Sequence, residues 1–144
     1  MRQDTWKAIE EMFERFPFMC AEPVELEEIS AASDQLGIPF VEDYRDFVHR
    51  YGGAIVGPYR IYGLRRAEAM GENERSVVDV TLQFRRQQWP GTQKWIVFST
   101  DHGGNPIGFD MTGVVWTFDH DSGREEITHD CFETYLRKRC LKMK

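Results

Sequence analysis

No stretch of the 144 residues is apolar for long enough to span a bilayer. Met1 to Ile9 also lacks the basic-then-apolar order of an export leader, so a cytoplasmic protein with no membrane role is expected. Cysteine is scarce: Cys20, Cys131 and Cys140 share no metal-ligand spacing, and reduced thiols are the plain reading. HExxH, paired CxxC and the nucleophile elbow are all missing. Gly103-Gly104-Asn105-Pro106 lacks the glycine spacing, the following helix and the lysine of a phosphate loop, and it reads as a turn. Bases nearly vanish between Asp101 and Leu136. There Arg124 stands alone among Asp101, Asp110, Asp119, Asp121, Glu125, Glu126, Asp130 and Glu133. Such a stretch repels nucleic acid and attracts basic partners. Arg85 and Arg86 near Trp89 are too few to make a nucleic-acid surface.

What is present suits one packed domain over residues 1–144. Apolar residues make up 41% and aromatics 13% of the chain, enough to argue against disorder. The net charge of -6 is uneven, because five bases (Arg137, Lys138, Arg139, Lys142, Lys144) crowd the end of the chain. That basic run suits the end of a helix, where it complements the dipole.

The sharpest pattern runs from Leu36 to Gly53. Tyr44, Phe47, Val48 and Tyr51 stand at i, i+3, i+4 and i+7, the stripe of a helix laid on a core. Gly37 stops a preceding helix, Pro39 keeps the connector extended, and Gly52-Gly53 closes the second helix. Glu42 and Asp43 sit in its first turn, where the dipole favours acids.

Around this helix the chain reads in order. A helix is expected from about Asp4 to Arg15, with Trp6, Ile9 and Phe13 on one face and Asp4 as its cap. Another spans Glu25 to Leu36, with Leu26, Ile29, Ala32 and Leu36 as its stripe. Tyr59 to Leu64 reads as a short strand. Ser76 to Gln88 is rich in β-branched residues, yet Ser76 and Asp79 fit a capping box and Val77, Val80, Thr81 and Phe84 keep helical spacing. Lys94 to Ser99, Pro106 to Asp110 and Val114 to Asp119 read as three strands, with Glu125 to Thr128 as an added edge strand. A last helix starts near Asp130, with Phe132, Tyr135, Leu136 and Cys140 along one side. The fold class is α+β, helices packed on a mainly antiparallel sheet.

In a meander the first and third of these strands run the same way. Asp101, His102, Asp119, His120 and Asp121 would then meet at one side of the sheet, with Glu125 and Glu126 nearby. Two histidines among carboxylates suit a metal or acid–base pair. The plainer reading has Asp101 and Asp119 accepting hydrogen bonds in strand-end turns. His49 and His129 occupy ordinary helix-face and pre-cap positions. No metal and no cofactor are expected.

The same residues carry a resemblance. Leu36-Gly37, the connector with Pro39, Glu42-Asp43-Tyr44-Arg45-Asp46-Phe47 and Tyr51-Gly52-Gly53 open a pattern that continues through Tyr62-Gly63-Leu64 and Trp95 to Ser99. It runs on through Asp101 to Gly108 (Gly104 within it), Asp110, Asp119-His120-Asp121 and Asp130 to Leu136. In this order the pattern resembles the SUKH superfamily, which includes fungal cell-wall synthesis regulators and many bacterial immunity proteins. Val41 departs from it, since similar members often have proline there. The resemblance implies a binding protein rather than an enzyme: an immunity protein that occludes a basic toxin, many such toxins being nucleases or deaminases. Asp101, His102, Asp119, His120, Asp121, Glu125 and Glu126 are the expected partner surface. A small metal-dependent enzyme on the Asp/His strand ends and an intracellular regulatory scaffold are the alternatives.

Overall fold

A computed structural model describes all 144 residues. Its helices are α1 (Gln3–Arg15), α2 (Leu26–Leu36), α3 (Glu42–Tyr51), α4 (Val77–Arg86) and α5 (Phe132–Tyr135), the last widening into a π turn over Leu136–Cys140. A hairpin pairs β1 (Ala54–Val56) with β2 (Tyr59–Ile61). Four antiparallel strands follow in sequence order: β3 (Ile96–Thr100), β4 (Pro106–Phe109), β5 (Val115–Asp119) and β6 (Arg124–His129). The architecture is α+β, and no helix is long and apolar enough to cross a membrane.

Tyr44, Phe47 and Val48 of α3 are fully buried, as their spacing requires, while Tyr51 is half-buried. The Tyr44 ring sits among Phe40, Phe98, Phe109 and Phe132, with centroids 5.0–6.1 Å away. Its hydroxyl donates to the Tyr62 carbonyl, so the one polar atom of this cluster is satisfied. Gly37 ends α2 in the left-handed region at φ 73°. Gly52 ends α3 at φ 76°, and a Cβ there would strike the Glu22 carbonyl. Leu64 and Arg65 then donate to the freed Gly52 carbonyl, at 2.7 and 3.0 Å. Ser76 caps α4 through the Asp79 N–H at 3.2 Å.

Several details differ from the reading of the sequence. Asp4 does not cap α1; Arg2 holds the cap position, and Asp4 lies in the first turn. There its carboxylate accepts from Arg137 Nη1 at 2.9 Å. The same Nη1 reaches Thr5 Oγ1 at 2.7 Å, and Nη2 reaches the Lys144 carbonyl at 2.8 Å. Arg137 is buried with both terminal nitrogens hydrogen-bonded, and it ties the last helix to the first. Leu26 is exposed, because it opens α2 one turn before the helix reaches the core at Ile29. β1 was not expected from the sequence, and Gly57-Pro58 turns it back onto β2. Lys94 belongs to a 3₁₀ turn ahead of β3. Cys131 caps α5, and Asp43 of α3 accepts the Glu133 N–H at 2.9 Å, so an acid placed for one helix serves two.

Candidate functional site

β3 and β5 run parallel to one another with β4 between them, so the loops after Thr100 and Asp119 lie side by side. Asp101 folds its loop onto itself: Oδ1 accepts from Gly103 and Asn105 N–H, both at 2.9 Å, and Oδ2 accepts from Asn105 Nδ2 at 3.0 Å. Gly104 completes the loop in the left-handed region and donates to the Asp101 carbonyl. Asn105, buried in that loop, also joins the two ends of the sheet. Its Oδ1 accepts the His120 backbone N–H at 3.1 Å and faces His120 Nδ1 at 2.5 Å. Since Nδ2 serves Asp101, the network assigns the hydrogen to Nδ1. His120 Nε2 is left facing Asp121 Oδ1 at 3.4 Å.

Asp119 accepts the Asp121 N–H at 2.9 Å, and its carbonyl accepts from Gly123 at 2.8 Å, which closes the β5–β6 turn. Asp101 and Asp119 thus shape their loops. Asp121 is different: its side chain is 87% exposed. His102 does not join His120, for its ring stacks on Tyr59 at 5.2 Å, where Arg139 also lies. Nowhere do three His, Cys, Asp or Glu side chains gather closely enough to hold a metal ion.

Strand alternation separates the two glutamates that the sequence put together. Glu125 pairs with Phe118 and Ile127 with Trp116, on the face opposite Val115 and Phe109; Glu126 pairs with Thr117 on the face those two share. Both are exposed, and neither has an ion pair within the chain. Val115 and Phe109 face the core, the latter against Tyr44.

The outer face is aromatic. Trp95 and Trp116 stack at 6.2 Å, over the space that Gly108 leaves by having no side chain. Trp89 meets Phe118 edge-on at 5.9 Å and His120 at 6.1 Å. Asp110 holds the Trp116 Nε1–H at 2.8 Å through Oδ2, while Oδ1 takes the Thr112 N–H at 2.9 Å. Burial alone would raise the Asp110 carboxyl, but the Thr112 and Trp116 donors outweigh it and hold the group below its ordinary value. Ile127, 60% exposed, completes the patch. Sequence reasoning missed Asn105, Trp89 and Ile127; the alternation in β5 already set Trp116 beside Phe118 on one face.

The largest groove lies elsewhere. It measures about 880 Å³, runs between α2 and α3, and includes Pro39, Phe40, Asp46 and His49 in its walls. Its charges are partly answered from within: Arg45 pairs with Asp46 at 3.2 Å, and His49 Nδ1 meets the Val24 carbonyl at 2.7 Å. Arg85 is likewise structural, donating to the Leu36, Thr92 and Trp95 carbonyls at 2.9–3.0 Å.

Among curated proteins, none matches the chain. A family profile described as SMI1-KNR4 cell-wall, SUKH_5, matches residues 4–142. That span takes in the α2–α3 pair, the four-stranded meander, both strand-end loops and the closing helix, and the chain belongs to the SUKH superfamily.

Proposed function

We propose that this protein is an immunity protein: it binds a cognate basic toxin domain and neutralises it by occluding the active-site region. The observation that carries the reading is the unanswered negative charge at the β5–β6 end. Asp121, Glu125 and Glu126 stand exposed in a family to which such binders belong, and no in-chain base answers the two glutamates. A nuclease presents a cationic cleft to a phosphate backbone, and a rigid acidic edge is its electrostatic complement. Asp101 and Asp119 support that edge by holding its loops. The cytoplasm, where a delivered toxin acts, is the compartment that this role requires.

The test starts from the reading frame beside this one. Its product is expressed with and without the protein, and cell survival is scored. Rescue is expected, with association that slows as salt rises, since screening acts over about 8 Å at physiological ionic strength. No rescue, or salt-independent binding unchanged by charge reversal at Asp121, Glu125 and Glu126, overturns the reading.

A further inference from the structure

Beside the stacked indoles lies a recess of about 260 Å³, walled by Gly91, Gln93, Lys94, Trp95, Asp110, Trp116 and Glu125. We propose that this recess binds a guanidinium group, and that it receives one arginine side chain of a protein partner. The source of the arginine rests on the partner-binding reading above; the chemistry of the recess does not.

Size comes first. The recess falls below the roughly 300–1,000 Å³ typical of small-molecule sites, so it suits one side chain rather than a nucleotide or a cofactor. Its floor is aromatic. Trp95 is buried and fixed, because a Cβ on Gly91 would fall 2.5 Å from its ring and one on Gly108 3.0 Å from its Cβ. Trp116 is half-buried and leaves part of its ring open. Tryptophan offers the strongest π-face to a cation, and the flat guanidinium of arginine stacks on it.

Charge comes second. The carboxylate of Asp110 binds the Trp116 N–H, which draws positive charge out of the indole plane and strengthens the ring face as a cation acceptor. Glu125 stands on the same face, and its carboxylate has no hydrogen bond or ion pair in the chain. It is free to take the two-pronged bond that a guanidinium offers. Lys94 lines the recess too, yet it makes no ion pair with Glu125 or Asp110. It therefore leaves Glu125 unanswered and competes with an incoming cation by repulsion.

The test titrates N-acetyl-argininamide into the labelled protein and follows the indole N–H signals of its four tryptophans by NMR. Saturable shifts of Trp95 and Trp116 are expected, with Trp6 still. The neutral isostere N-acetyl-citrullinamide should shift neither. Glu125→Gln should weaken binding about fivefold, the upper end for an exposed ion pair, and Lys94→Gln should tighten it. Both substitutions are on the surface, and unchanged signals elsewhere in the spectrum verify the fold. No shift, an equal response to citrulline, or full binding in Glu125→Gln overturns the site. If the arginine amide titrates while the neighbouring gene product is not neutralised, the site stands and the immunity reading falls. If Glu125→Gln weakens amide binding but leaves partner affinity intact, the partner's arginine is not the ligand and the proposal fails in that part.

Discussion

Asp110 and Trp116 are joined across the β4–β5 turn by an indole N–H to carboxylate bond of 2.8 Å. The same carboxylate holds Thr112, so one acid fixes both the turn and the orientation of an exposed-face tryptophan. Asp110→Ala should cost about 1–2 kcal/mol, the loss of a charge-assisted bond at a half-buried site. The sign with pH follows from the lowered carboxyl. A depressed group stabilises the fold above its unfolded value of 3.8 and loses that contribution as pH falls through the folded value. Urea midpoints from pH 6 to pH 2 should show a shallower acid limb in Asp110→Asn than in wild type.

Phe47 tests the centre of the fold. It is fully buried against Phe132 and Tyr51, so Phe47→Ala should destabilise by about 3–5 kcal/mol. Urea unfolding measures this; a change below about 1 kcal/mol would contradict the packing described.

Cys140 is buried, and burial pushes its thiol up to about 12. Its stability contribution is full below the unfolded value of 9.0 and disappears as pH rises towards the folded one. The native protein should therefore leave Cys140 unmodified by iodoacetamide at pH 8 and expose it only on unfolding. Peptide mapping by mass spectrometry reads the order of labelling.

Asp119 and Asp121 should behave differently although they are two residues apart. Asp119→Ala removes the acceptor that closes the β5–β6 turn and should lower stability, by about 1 kcal/mol. Asp121→Ala leaves the turn intact and should slow association with the partner, most strongly at low salt. Thermal melts and stopped-flow association separate the two effects.

The helices announced themselves because their evidence is local. The Tyr44–Tyr51 stripe, the Gly37 stop and the Ser76 cap each lie within one or two turns of chain, and the sequence displays them whole. The meander was legible for the same reason, its turns being short. β1 was hidden because three residues carry too little period to be distinguished from a loop. Leu26 misled because a stripe fixes a face but not where along a helix the core begins. The acids of the strand ends were found by direction alone, yet which were tied and which were free depended on Asn105 and the turn geometry. The tryptophan recess needs Gly91, Trp95, Asp110, Trp116 and Glu125 from separate elements, and only the register brings them together.

The bond from Arg137 to Asp4 and Thr5 also sets a timetable for synthesis. Its partners are 132 and 133 residues apart, and Phe132, Tyr135 and Leu136 fill the middle of the core from the same late segment. The first helix leaves the ribosome long before Arg137, although its Phe13 can already meet Tyr51. Closure of the globule therefore waits for Arg137, and the nascent chain must keep its apolar stripe from other molecules until that residue emerges.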